Sequence, residues 1–547
     1  MKAELSRNMV KGFLDVKGTK IVNGDGNEII LSGWGLGNWL LCEGYMWLSD
    51  GVQRFDRPRR IEMIIDELCG QEYAQNFWVR FRERYITEDD IQLMASMGYN
   101  SVRIPINARL FLEEGPEMQW IDEGFELLDK CIDWCEKHSL YAFIDLHGAP
   151  GGQTGANIDD SIDDMPRLFM DRHCFDKGVA LWRKLAQRYK DRWIVGGYDI
   201  LNEPIRPVRH EGDTDVTHLL PLLKKFYEAA IQAIREVDEH HLVTLEGHYW
   251  ASATEVFCKK YDPKMIIHFH RYACIPDIES FTPFLEAAER WQCPLWLGET
   301  GENMLEWFTA MYPLSVELGI GFNLWPWKKM ECVNSPCSVT APAGWEKIID
   351  YAKGGQHPGY TAAQKIMDQY LENMRISQCT VNDDVTSHVF RTPGCTIRGA
   401  DFDEFPGKGV SYSGLRDEGN LFGYRQNTGM EIIEKFPDIE KKFDFDCRWK
   451  RFVLGLRKGE FACYTLNEIT EKSRLEVRCY CASVSSVEIY QDGDLLNNYT
   501  LGGMDEIQII GSLRLKASAR SSIKIAVASG SVEIDALITA GIKTVYH

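Results

Sequence analysis

Two short apolar runs in this chain each end on a glutamate. Tyr198-Asp199-Ile200-Leu201-Asn202-Glu203-Pro204 reads as a buried strand that stops on a carboxamide and a carboxylate, with Pro204 ending the ladder. Further along, Trp296-Leu297-Gly298-Glu299 repeats the design: apolar strand, small residue, terminal carboxylate. Two carboxylates facing each other across a gap can divide a bond cleavage between them. One stays ionised and attacks or stabilises an electron-poor carbon; the other carries the proton that expels the leaving group. An arginine beside the first keeps it ionised, and Arg103 is the candidate partner of Glu299.

The elements that must position these groups follow one another in alternation. Apolar strands are predicted at Ile29–Gly33, Asn100–Pro105, Tyr141–His147, Tyr198–Glu203, Leu242–Glu246, Met265–His270, Leu295–Glu299 and Gly321–Trp325. Helical segments fall between most of them: from Glu88 to Met97, capped by Thr87, then about Ile121–His138, Asp176–Tyr189, His218–Val237, Phe281–Trp291 and Leu305–Leu318. Such alternation specifies a parallel sheet, and eight repeats suggest a closed (β/α)8 barrel, with a doubly wound open sheet as the alternative. The carboxyl ends of barrel strands share one face. That face would gather Arg103, Asp145, His147, Asn202, Glu203, Glu246, His270, Tyr272, Glu299 and Trp325. Each taken singly also fits a structural role, as a buried ion-pair partner, a satisfied barrel histidine or core. Gathered together they suit glycoside cleavage, whose transition state carries positive charge on the sugar ring, with Trp325 as an apolar platform. The opening run Gly33-Trp34-Gly35-Leu36-Gly37 lacks phosphate-loop spacing, which argues against a nucleotide.

These segments resemble family 5 glycoside hydrolases, retaining β-glycosidases on a (β/α)8 barrel, from about Gly33 to Trp325. Asn202-Glu203-Pro204 resembles the family's acid/base motif and Glu299 its nucleophile. Within the family the segments Ile144-Asp145-Leu146-His147-Gly148-Ala149-Pro150-Gly151, Trp39-Leu40-Leu41-Cys42-Glu43 and Tyr85-Ile86-Thr87-Glu88-Asp89-Asp90 are most similar to the exo-β-1,3-glucanase group. The resemblance implies a double displacement: Glu299 attacks and Glu203 exchanges the proton. It also implies that Asn202 bonds a sugar hydroxyl, that His270 and Tyr272 hold the two glutamates, and that Glu43, Asp145 and His147 grip the terminal sugar. Glu246 matches no catalytic position of the family and is read as supporting. The chain departs from the pattern at Arg271, at the extra tryptophan of Trp325-Pro326-Trp327-Lys328-Lys329, and in the aspartate-rich loop Gly151–Arg172.

The barrel's last helix is expected at about Tyr360–Asn373. Beyond it the texture changes to short alternating strands, including Glu460–Thr465, Arg474–Cys481, Ser486–Gln491, Glu506–Ile510 and Ser522–Ala528. This predicts two domains: a catalytic barrel over 1–376 and an antiparallel β-sandwich over 377–547. Thr396–Asp403, Gly409–Tyr412, Gly423–Arg425 and Gly459–Tyr464 resemble family 6-like carbohydrate-binding modules, with Tyr412, Tyr424 and Trp449 as candidate sugar platforms. Ala400 stands where that family carries a calcium-binding glutamate, although Asp535 is kept at the later position.

Composition narrows the partners. A net charge of −20 over 547 residues opposes binding to nucleic acid or to anionic membranes and suits a neutral β-linked oligosaccharide, polysaccharide or glucoside. No apolar run approaches a membrane span. The 16 cysteines are scattered, with no CxxC paired to another CxxC or to histidines, so neither metal nor cofactor is expected. Reduced thiols and an N-terminus without an apolar signal stretch predict a cytoplasmic protein, or a secreted one if a leader has been removed. Other readings are an endo-acting cellulase, mannanase or glycolipid glycosidase of the same family, and a catalytically silent carbohydrate-binding protein.

Overall fold

A computed structural model describes residues 3–209, 213–416, 423–435, 445 and 447–541. Eight parallel strands close a barrel: β1 (Ser32–Gly35), β2 (Ser101–Asn107), β3 (Tyr141–Gly148), β4 (Val195–Asp199), β5 (Leu242–Glu246), β6 (Met265–Arg271), β7 (Leu295–Gly301) and β8 (Gly321–Trp325). They pair in chain order, and β8 returns to β1 through Phe322 opposite Ser32. Almost every strand residue is buried, as helices outside and side chains inside require. The open-sheet alternative is excluded by that closure.

Three local differences from the expected pattern have physical causes. Strand β4 begins and ends earlier than its apolar run suggests, because Gly196 and Gly197 belong to it. A Cβ on Gly196 would meet the Phe143 ring at 2.6 Å, and one on Gly197 the Leu242 carbonyl at 2.8 Å, so only glycine lets the neighbouring strand close in. Asn202 and Glu203 therefore stand on the loop after β4 rather than at its last rung. Likewise β1 spans Ser32–Gly35, and Ile29 and Ile30 lead into it. Two helices that the alternation did not mark, Pro58–Cys69 and Gln71–Tyr85, fill the connection from β1 to β2. The helix predicted from Glu88 forms over Glu88–Ser96, with Thr87 and Asp90 exchanging the two bonds of a capping box.

The C-terminal region is built from antiparallel sheets facing each other, as in a sandwich. One sheet orders Glu431–Glu434, Phe452–Arg457, Ser531–Ala540, Arg474–Cys481 and Met504–Arg514, with Thr396–Arg398 paired to Ser531–Ala540. The other orders Tyr412–Ser413, Phe461–Ile469, Ser518–Ser529, Ser485–Gln491 and Asp494–Leu501. The helix Asp383–Phe390 precedes them and packs on the barrel helix Leu305–Glu317. Tyr424 and Trp449 are core residues here. Both are buried and donate to the same Asp401 Oδ1, at 2.7 and 2.8 Å. They are closed to a sugar, while Tyr412 is half-buried against Phe402. Asp535 is flanked by Arg478 at 3.0 Å and Arg398 at 3.4 Å, so two guanidinium groups already balance its charge.

Candidate active site

Arg103 organises the barrel mouth from below. Its side chain is fully buried on β2. Nε donates to Asp199 Oδ2 at 2.8 Å and Nη1 to Glu299 Oε2 at 2.6 Å. Nη2 donates to Asn202 Oδ1 at 2.7 Å and Glu246 Oε1 at 2.9 Å, and lies 3.1 Å from Asp145 Oδ2. A planar fork with several donors is the side chain that can satisfy so many acceptors at once. Asp199 and His268 are members of this network that the sequence reading did not single out. Asp199 accepts from Thr244 Oγ1 at 2.7 Å and lies 3.0 Å from His268 Nδ1. Both sit on inward-pointing strand positions, the one signal that could have marked them.

Glu203 and Glu299 come together above this network. His270 Nδ1 lies 2.6 Å from Glu203 Oε1 and 3.8 Å from Glu299 Oε1, and one carboxylate oxygen of each glutamate lies within 4.8 Å of the other. Tyr272 donates its hydroxyl to Glu299 Oε1 at 2.6 Å. Glu203 adopts φ +44°, and the next but one residue, the β-branched Ile205, adopts φ +57°. Left-handed backbone at such residues is strained by about 1–3 kcal/mol each and persists only where surroundings impose it. The restraint is visible: the Glu203 amide donates to Glu246 Oε2 at 2.6 Å, and the Ile205 amide donates to the Gln153 carbonyl at 3.2 Å. Glu246 is therefore a support that aims Glu203. Buried Gln153 adds a second brace, donating to the carbonyls of His147 (2.7 Å) and Asn202 (2.9 Å).

The charges are set apart by these contacts. Burial raises the Glu299 carboxyl, but His270, Arg103, His147 and the Tyr272 hydroxyl outweigh it and hold its pKa down to about 2. Burial works against the charged form of His270, yet Glu246, Glu299 and Glu203 raise its pKa well above the usual 6.5. His147 is driven the other way, down to about 3, by burial and then by Arg103. Above about pH 3 it is thus a neutral ring, with Nδ1 2.7 Å from Asp145 Oδ2 and Nε2 3.2 Å from Asn202 Nδ2. Asp145 is wholly buried beneath it, so any effect of Asp145 on a sugar passes through His147. The same holds for Arg103, which reaches a ligand only through the groups it holds.

The remaining predicted residues line the mouth. Glu43 is 3% exposed, its Oε1 has no hydrogen-bond partner, and burial followed by Glu299 raises its pKa well above 4.5. Trp325 stacks on His147 with ring centroids 5.1 Å apart and planes 6° apart, and its indole N–H donates to the Tyr45 hydroxyl at 3.0 Å. The Trp325 ring lies over Gly35 and Gly37, where a Cβ would meet it at 2.3 and 2.8 Å. The departures noted in sequence also find places. Trp327 is core, donating to Asp90 Oδ1 at 3.0 Å, and Lys328 pairs with the same buried oxygen at 2.6 Å. Arg271 donates to the Ser280 carbonyl at 2.9 Å and braces the loop after β6. Three of these side chains, Glu203, His270 and Glu299, present atoms close enough for a metal ion, as do Glu246, His268 and His270. The Arg103 guanidinium already supplies the positive charge these carboxylates need, which disfavours a second cation there.

Comparison with known proteins finds likenesses over the barrel. Residues 67–331 match the model for cellulase, glycosyl hydrolase family 5. The chain is 35% identical over 240 residues to a beta-xylosidase of Phanerodontia chrysosporium, covering 44% of this chain and 47% of that protein. It is 28% identical over 228 residues to a probable glucan 1,3-beta-glucosidase A of Aspergillus clavatus, covering 41% and 51%. With an endoglucanase C of Acetivibrio thermocellus it shares 24% over 313 residues, covering 46% and 86%. The chain thus spans about half the length of the first two of these relatives. The match to the cellulase, glycosyl hydrolase family 5 model thus falls on the barrel, whose strands from β2 to β8 lie within residues 67–331.

Proposed function

We propose that the protein is a retaining β-glycoside hydrolase in which Glu299 is the nucleophile and Glu203 the acid/base. The observation that carries this reading is the approach of the two carboxylates, with one oxygen of each within 4.8 Å of the other. That spacing suits direct attack, whereas an inverting pair stands about 6.5–9.5 Å apart to admit water. Glu299, held ionised by Arg103, His270 and Tyr272, attacks the anomeric carbon. Glu203 gives its proton to the departing glycosidic oxygen as that bond breaks. Glu203 then takes a proton from water, whose oxygen displaces Glu299 and frees the sugar. Asn202, Glu43, His147 and Trp325 are the proposed sugar contacts. The proposed domain limits are 1–376 for the catalytic barrel and 377–547 for the sandwich.

Exo action on β-glucosides or β-glucans is the preferred mode. Its support is the bracing of two loops next to Glu43. The loop after β3 is tied to the connection after β1 by Arg57–Asp164 (2.7 Å), Arg60–Asp164 (2.9 Å) and Arg59–Asp160 (3.3 Å). The braced connection adjoins Glu43, since the Gly44 amide donates to the Asp56 carbonyl at 2.9 Å. The beta-xylosidase relative favours a second reading, in which the sugar held is xylose. Hydrolysis of aryl β-glucoside, aryl β-xyloside, laminari-oligosaccharides and cello-oligosaccharides, with the product anomer followed by NMR, tests both. Release of single β-anomeric sugars supports the proposal. Immediate formation of the α-anomer would sink double displacement, and internal cleavage would sink the exo reading.

A further inference from the structure

The loop after β6 begins with Tyr272, whose hydroxyl meets Glu299. Chain from the C-terminal region touches this loop at three points. The Phe445 ring lies against the Tyr272 ring, with centroids 4.7 Å apart and planes at 31°. The Cys447 thiol reaches the Cys274 carbonyl at 3.4 Å, which also accepts from the Trp307 indole at 2.9 Å. The Arg425 amide donates to Asp277 Oδ2 at 2.9 Å, and Asp277 is buried. The Phe445 peptide is itself anchored to the next active-site loop. Its carbonyl accepts from Asn303 Nδ2 at 2.9 Å, and Asn303 follows β7, the strand that carries Glu299.

Tyr272 is only half-buried, so without a neighbour its ring could swing off the nucleophile. An aromatic contact of this geometry shifts an equilibrium by about two- to tenfold. Small displacements of a positioning group lower rates out of proportion to the distance moved. We propose that Phe445 is a positioning residue of the active site, through which the C-terminal domain holds the Tyr272 hydroxyl on Glu299. A binding module on a free tether would make none of these contacts, whereas here a C-terminal ring packs on the side chain that meets Glu299. The inference rests on Glu299 being the nucleophile.

The test uses the full-length chain and 4-nitrophenyl β-glucoside and β-xyloside. Phe445→Ala, Phe445→Tyr, Tyr272→Phe and the double variant Tyr272→Phe with Phe445→Ala are compared in kcat, KM, pH profile and melting temperature. Phe445→Ala should lower kcat about two- to tenfold with little change in KM. It should also move the acidic limb of kcat/KM upward in pH, because the Tyr272 hydrogen bond helps keep Glu299 ionised. Arg103, His270 and His147 still face Glu299 in every variant, so that movement is partial. Phe445→Tyr should keep near wild-type rates. Once Tyr272→Phe has removed the hydroxyl, adding Phe445→Ala should change kcat by less than about twofold. An unchanged kcat and acidic limb in Phe445→Ala, with or without a lower melting temperature, would overturn the inference. So would losses that multiply in the double variant. A wild type that cleaves neither glycoside nor any glucan oligosaccharide would instead bring down the hydrolase reading, and this inference with it.

Discussion

Arg103 Nη1 lies 2.6 Å from Glu299 Oε2, and the same guanidinium reaches Asn202, Asp199, Glu246 and Asp145. One buried cation thus joins β2 to the nucleophile candidate on β7 and to the loop that carries Glu203. Arg103→Lys keeps the charge but loses the fork. It should lower stability by about 3–5 kcal/mol, the range for breaking a buried ion pair, and lower kcat more than it raises KM. Chemical unfolding and steady-state kinetics on one preparation check both; a variant as stable and active as wild type would refute the network's role.

The two glutamates should separate by leaving group. Glu299→Ala should lose about four orders of magnitude on every substrate, and azide should restore turnover as the α-glycosyl azide. Glu203→Gln should lose about two to four orders on alkyl or sugar leaving groups and much less on dinitrophenyl glycosides, which depart without a proton. Equal losses across leaving groups would contradict the acid role.

The pH dependence of stability has a defined sign on each side. Glu299 is lowered from 4.5 to about 2, so its contribution is present above pH 4.5 and is lost as pH falls toward 2. His270 is raised above 6.5, so its contribution is complete below pH 6.5 and is lost as pH rises through the higher folded value. Melting temperatures of wild type and Glu299→Gln should therefore approach each other as pH falls from 4.5 toward 2. A gap that widens toward acid would reverse the assignment.

Glu43 has an unpartnered buried oxygen and a raised pKa, so its neutral form is favoured. Glu43→Gln should keep activity within about tenfold, whereas Glu43→Ala should lose about ten- to a hundredfold in kcat/KM as sugar hydroxyls lose their partner. Equal effects of the two substitutions would argue against a direct hydrogen bond to substrate.

Gly35 lies under the Trp325 ring, where an added Cβ would come within 2.3 Å. Gly35→Ala should displace Trp325 from His147 and raise KM several-fold with a smaller effect on kcat. Unaltered kinetics would show that Trp325 plays no part in holding the sugar.

Much of the site was legible in one dimension because a barrel brings strand ends to one face. The positions of His147, His270 and Glu299 follow from apolar runs that end on polar residues, whereas Arg103 lies inside β2 and Tyr272 just past β6. The periodicity misled where glycine did the work: Gly196 and Gly197 belong to β4 because close strand approach leaves no room for a side chain, and no apolar pattern announces that.

The sequence by itself determined the barrel, the alternating C-terminal strands and the paired glutamates, since these rest on local periodicity and on residue type at strand ends. Tertiary structure alone decided the rest. Arg103 is shared among residues from several strands, Glu246 reaches back to aim the Glu203 amide, and Tyr424 and Trp449 turn inward onto Asp401. Phe445 meets Tyr272 from a different domain. Each is a contact between residues distant in the chain, and distance in space is set by how the elements pack, which no window of sequence contains.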